Sequence, residues 1–205
     1  MMRAFERLDD FGQVDDDRSR RVAINSILVA GMALGMIALG LVLRNSAFTS
    51  TIFFNDEVNG IRAQIPANWL IDQTSDEDYI FRAENTGGRP FQTVIQVSVK
   101  IVGPDASPRN VVDLLEVEGP TKLAQYRVLS IDEFMLGDDA ANQIIYKYVE
   151  TDPNPFLEAV PIVVQGIDIV VKRGNQAIIL TYRDASVAFD LNRFYFDRFL
   201  ATVEY

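Results

Sequence analysis

One stretch decides most of what this chain can become. Val22 to Leu43 reads VAINSILVAGMALGMIALGLVL, with no charged residue inside it and Arg21 and Arg44 at its borders. At 1.5 Å rise per residue it makes a helix of about 33 Å, enough to cross a hydrocarbon core about 30 Å thick. A soluble helix apolar on every side needs a large core around it, and a single small domain offers none. A secretory signal has an apolar run of about 7–15 residues, shorter than this one, and mixed-charge residues 1–21 precede it here. The expectation is an uncleaved, single-pass anchor in the bilayer.

Flanking charge sets the expected orientation. Arg3, Arg7, Arg18, Arg20 and Arg21 precede the span, whereas Arg44 and Arg62 are the nearest basic residues after it. The positive-inside rule puts residues 1–21 in the cytoplasm as a tail too short to fold alone. Residues 44–49 become a linker, and residues 50–205 a domain on the periplasmic or extracellular side of the inner (cytoplasmic) membrane. Within the span, Gly31 and Gly35 form a GxxxG pair flanked by Ser26 and Ala30. Small side chains let a second helix approach closely, although glycine is also simply common in membrane helices, and both readings stay open.

Composition then removes function classes. The chain has no histidine and no cysteine, which excludes Ser-His-Asp chemistry, ordinary zinc sites, thiol catalysis, disulfides and iron–sulfur ligation. The net charge is −10, and 14 basic against 23 acidic residues follow position 43. An acidic surface repels phosphate backbones, so nucleic acid is not an expected partner. No cofactor is called for.

Beyond the linker the pattern alternates between strands and turns. Residues 50–55 and 60–65 read as strands around an Asp56–Gly60 turn, and Pro66 stops the second. Residues 79–83 and 91–102 flank Asn85-Thr86-Gly87-Gly88 as a hairpin. Ser107-Pro108 reads as N-cap and first residue of a helix carrying Val111, Val112, Leu114 and Leu115, interrupted at Gly119-Pro120. Strands follow at 127–136 and 142–150, then at 162–172 and 176–183 around Gly174-Asn175. Ser186 is expected to cap a closing helix over 187–200, with Leu191, Phe194, Tyr195 and Phe199 on its inner side. Six or seven mostly antiparallel strands with two helices make an α+β sandwich.

This order of elements resembles the PsbP-like family, whose founding member is an extrinsic protein of photosystem II. The resemblance covers residues 50–203. It rests on the Ile65-Pro66-Ala67-Asn68-Trp69 turn, the 79–102 hairpin, the helix after Ser107, the strand pair ending in Tyr182-Arg183 and the Phe-rich last helix. It implies a non-catalytic domain that binds to, or helps assemble, a larger complex, here a photosynthetic or respiratory electron-transfer complex in the membrane. The fused anchor departs from soluble members. The histidines that bind metal or dock in some of them are missing, so that role does not carry over.

Other features bear on chemistry. Paired acids occur at Asp56-Glu57, Asp76-Glu77-Asp78, Asp132-Glu133 and Asp138-Asp139, all at expected turns or strand ends where acids are ordinarily solvated. Asp76-Glu77-Asp78 is the best of them for calcium, without EF-hand spacing. Trp69, the sole tryptophan, is expected to be a core anchor. In the loop after strand 142–150, Phe156 and Leu157 stand among Pro153, Pro155 and Pro161. A preset backbone with apolar tips suits a partner contact, and equally a lid over the sheet edge. The expected function is an accessory or assembly subunit, without enzyme activity, held among other membrane-protein subunits by helix and outer domain. A basic electron carrier such as a cytochrome is a further partner for its acidic face. The alternative is a stand-alone anchored cation sensor or carboxylate-dependent hydrolase.

Overall fold

The computed structural model describes residues 26–43, 50–72, 79–87, 91–151 and 160–205. The chain divides into two compact units, Met1–Ser50 and Thr51–Tyr205. In the first, helix α1 spans Ser26–Leu43, 18 residues with every described side chain exposed. By length and composition it can cross a membrane. Apart from the adjacent residues and the helix's own backbone, nothing lies within 4 Å of where a Cβ would stand on Gly31 or Gly35.

The second unit is built on antiparallel pairing throughout. Strands β1 (Thr51–Asp56) and β2 (Ile61–Pro66) form a hairpin. Its turn is closed by Asp56, whose Oδ1 accepts the Val58 N–H at 2.9 Å, and by Gly60 at φ 68°. A seven-stranded sheet runs in the order β3 (Leu70–Asp72), β4 (Phe81–Glu84), β5 (Val94–Ile101), β9 (Gln176–Ala185), β8 (Ile162–Arg173), β7 (Asp139–Glu150), β6 (Arg127–Leu136). Helix α2 (Pro108–Lys122) carries the chain from β5 in the middle to β6 at the far edge. The late hairpin β8–β9 then fills the gap, and so β5 and β9 become neighbours.

Each sheet face has its own core. On one face, Ile95, Val97, Ile167, Ile169, Leu180 and Tyr182 meet the β1–β2 hairpin and helix α3 (Phe189–Leu200) through Ile61, Ile65, Phe196 and Phe199. Trp69 lies in this core, 5% exposed, with its ring centroid 5.2 Å from that of Tyr195. On the other face, Val111 and Val112 of α2 pack with Ile144, Val164, Val170 and Ile179.

Four expectations need correction. Helix α2 is not interrupted at Gly119-Pro120 but continues to Lys122. Proline disfavours α geometry in the residue before it by meeting that residue's Cβ, and Gly119 has none. Ser186 does not cap α3; the N-cap is Ala188, without a side-chain bond. The buried Asp184 docks the helix instead, accepting Asn192 Nδ2–H at 2.7 Å and the Thr93 hydroxyl at 3.1 Å. With the start moved to Phe189, the inner face becomes Phe189, Phe196 and Phe199, while Leu191 and Phe194 are 77% and 50% exposed. The strands number nine among the described residues, more than the expected six or seven, because every stretch read as a strand forms one and short β3 after Trp69 is added.

Candidate functional site

The α2-facing side of the sheet changes character toward β4, and strand register explains how. Ile144, Asp168, Thr181, Gln96 and Arg82 are successive Cα partners across β7, β8, β9, β5 and β4. Four of these five are polar and stand side by side on one face. One step along, Tyr146, Gly166 and Arg183 form the adjacent row. One step the other way, Ser98 pairs with Ile179, and beyond it lies Lys100. Along β5, Gln96, Ser98 and Lys100 look like the outer half of an ordinary amphipathic strand. Across the sheet they join Asp168, Thr181 and Arg183 in one patch.

That patch is the floor of a cavity of about 270 Å³. The last turns of α2 roof it with Leu115, Glu118, Gly119 and Lys122; Leu123 and Tyr126 close one side, and Tyr79 and Arg82 the other. Lys100 Nζ on the floor donates to Glu118 Oε2 on the roof at 2.8 Å, tying helix to sheet. Gly119 is required by the wall: a Cβ there would stand 2.5 Å from the Tyr126 ring. Proline after it and tyrosine against it make the same demand on one position.

Gly166 serves the floor in a similar way. A Cβ at this position would lie 2.4 Å from Tyr146 Cζ. Without one, the Tyr146 ring lies across β8, so its hydroxyl accepts Arg183 Nε–H at 3.1 Å and donates to Asp168 Oδ1 at 3.2 Å. Burial pushes the Tyr146 hydroxyl well above the ordinary phenol range, so it stays a neutral donor. Burial also raises the Asp168 carboxyl, opposed by the Arg183 charge and by hydrogen bonds from Thr181 and Tyr146. Burial alone would lower Arg183; Tyr146 and Asp168 hold it above its usual value, so it remains a cation.

Charge here runs against the rest of the molecule. Arg82, Lys100, Lys122 and Arg183 line the cavity against Glu118 and Asp168. Glu84 is paired with Arg82 at 2.5 Å, and counting it leaves the balance positive. The Arg82 Nε–H is buried and not directed at a hydrogen-bond acceptor, so the pairing is electrostatic. Gln96, Ser98 and Thr181 are buried polar groups on this floor, and they bond within it: Gln96 Nε2–H donates to Ser98 Oγ at 3.2 Å, and Thr181 bonds Asp168.

Of the residues singled out from sequence, Ser26, Ala30, Gly31 and Gly35 belong to α1 and are not among the residues that line this cavity. Pro153, Pro155, Phe156, Leu157 and the Asp76-Glu77-Asp78 run lie outside the described residues. Asp56 is occupied in its turn, and Asp139 accepts the Tyr205 hydroxyl at 2.9 Å. Among the described residues no three His, Cys, Asp or Glu side chains gather into a group able to hold a metal ion. The cavity was missed by the sequence reading. Its signal was present in Gly166-Ile167-Asp168, a glycine and an acid within a strand rich in Ile and Val.

No family model matches the chain, and no curated protein sequence matches it. Solved structures do. Cyanobacterial PsbP (CyanoP) from Synechocystis sp. PCC 6803 is similar with TM-score 0.54 at 12% identity, covering 76% of this chain and 92% of that one. LpqN, involved in cell envelope biogenesis of Mycobacterium tuberculosis, gives TM-score 0.53 at 13% identity, covering 75% and 89%. The Saccharomyces cerevisiae Ran-binding protein Mog1p gives TM-score 0.47 at 7% identity, covering 76% and 95%. The likeness is one of fold: this is a PsbP-like α+β architecture.

Proposed function

We propose that this protein is a membrane-anchored accessory subunit, in which α1 spans the bilayer and residues 50–205 dock on the outer surface of a larger membrane-protein complex. The observation that carries this reading is α1 itself: 18 uncharged, predominantly apolar residues, all exposed, joined to a folded domain that keeps its own two cores. An exposed apolar surface of that size needs lipid or protein around it. The PsbP-like fold supports an accessory or envelope-associated role, and within it a photosynthetic or respiratory electron-transfer complex is the partner we propose.

Anchoring supplies the mechanism. A domain confined to the membrane meets its partner at high effective concentration, so a modest outer interface and one helix contact suffice together. The Gly31/Gly35 face is the helix contact, with Ser26 and Ala30 beside it. The subunit carries no catalytic step of its own and holds its neighbours in place.

The test is gentle detergent extraction of the full chain followed by native sizing and mass spectrometry of what stays bound. The expected result is a large assembly that Gly31→Leu with Gly35→Leu weakens or dissolves. A lone monomer that binds calcium or cleaves a glycan would establish the sensor or hydrolase reading instead.

A further inference from the structure

We propose that the cavity under α2 is a binding site for a small organic oxyanion, a carboxylate or phosphate ester carried on a compact apolar body. This goes beyond the accessory role and does not rest on it.

Three features of the cavity converge. The first is charge placement. The part of the chain after position 43 has 23 acidic residues against 14 basic, yet four cations and only two carboxylates line this one cavity. A positive site within low-dielectric walls on an acidic protein concentrates the field on an anion inside it.

The second is the state of those cations. The Arg183 Nε–H donates to Tyr146, one of five N–H groups in a planar fork that matches the two oxygens of a carboxylate or phosphate. Tyr146 is in turn fixed by Gly166 beneath it and by Asp168, so the guanidinium is held before a ligand arrives. Preorganisation of this kind lowers the ordering cost of binding. Thr181 and Ser98 present hydroxyls on the same floor.

The third is the division of the walls. Leu115 on the roof, Leu123 at the side and Ile179 on the floor add apolar surface, and the Tyr126 ring adds an aromatic one. At about 270 Å³ the space is just below the roughly 300 Å³ at which small-molecule sites begin. It suits a ligand of the size of a substituted single ring or a short acyl chain. A charged head toward Arg183 and an apolar body toward Leu115 is the pose that satisfies both halves.

The experiment is equilibrium dialysis of the full chain in an uncharged detergent, with labelled benzoate and labelled phenyl phosphate as probes and benzamide as the neutral isostere. The expected result is saturable binding of one or both anions at one per chain, with benzamide at least about tenfold weaker. The better of the two anions identifies the head group. Arg183→Lys keeps the positive charge beside Asp168 but removes the fork, and should weaken anion binding by about ten- to a hundredfold. Leu115→Trp fills the cavity from the roof without touching an ion pair and should abolish binding even if Arg183→Lys folds poorly. Binding of both anions no tighter than benzamide, or binding unchanged in Leu115→Trp, overturns the proposal.

Discussion

Gly166→Ala tests the construction of the cavity floor at a single atom. The new Cβ would lie 2.4 Å from Tyr146 Cζ, 2.6 Å from Cε2 and 2.7 Å from the hydroxyl oxygen. Comfortable carbon contacts are about 3.5–4.0 Å, so the ring must retreat by about 1 Å. Tyr146 is fully buried and hydrogen-bonded at its far end, which leaves no cheap direction for that movement. Overpacking costs about 1–3 kcal/mol, and loss of the Tyr146 bonds to charged partners adds about 1.5–3 kcal/mol. At about 2–4 °C per kcal/mol for a chain of this size, Tm should fall by at least about 5 °C. The assay is thermal and urea denaturation followed by fluorescence of Trp69, which lies in the opposite core and reports unfolding without touching the cavity. A double-mutant cycle isolates the contact. In a Tyr146→Leu background the ring is gone, so Gly166→Ala should cost less than about 1 kcal/mol, and the coupling should exceed about 1 kcal/mol. Equal cost of Gly166→Ala in both backgrounds would refute the claim that this glycine exists to seat the tyrosine.

Further consequences are open to direct measurement. Gly119→Ala should destabilise by about 1 kcal/mol or more in the same assay, although alanine normally strengthens a helix, because Cβ meets both Tyr126 and the geometry before Pro120. Trp69 should emit at short wavelength and resist acrylamide quenching in the native state; free quenching would contradict its place in the core. Because burial raises the Asp168 carboxyl above its ordinary 3.8, the folded state holds that proton longer than the unfolded one. Stability should therefore fall as pH rises from about 3.8 through the raised value. This slope should appear in the wild-type-minus-Asp168→Asn difference and vanish below that window. Tyr205 is pushed up to about 12 by burial and by its bond to Asp139, so one tyrosine should ionise near there in an ultraviolet titration and shift downward in Asp139→Asn.

How much of this was legible in sequence follows from the range of the forces involved. Period-two alternation and turn residues are local, and they marked the main hairpins, Gly174-Asn175 and the Pro66–Trp69 turn, where Trp69 N–H donates to the Pro66 carbonyl at 3.2 Å. Ser107 was read correctly as a cap, with its side chain accepting from Asn110 N–H. The α3 face was misjudged because the helix starts at Phe189 and is docked by Asn192 on Asp184, a buried strand residue eight positions upstream, which helical periodicity alone does not reveal. The cavity is the deepest case. Gln96, Thr181 and Asp168 come from three strands whose adjacency depends on β9 inserting beside β5. Each residue alone looks like the wet side of a strand. Only Gly166 and Asp168, within a strand rich in Ile and Val, carried a trace of the site, and glycine in a strand is also read as a simple weak point.

The anchor remains the element on which the functional account turns. The most direct measurement is alkaline carbonate washing of isolated membranes, combined with protease treatment of intact cells stripped of any outer barrier. The account predicts that the full chain stays in the membrane pellet and that residues 50–205 are cut only from the outer side. Release of the chain into the wash, or recovery of a mature protein free in solution that lacks Ser26–Leu43, would contradict it.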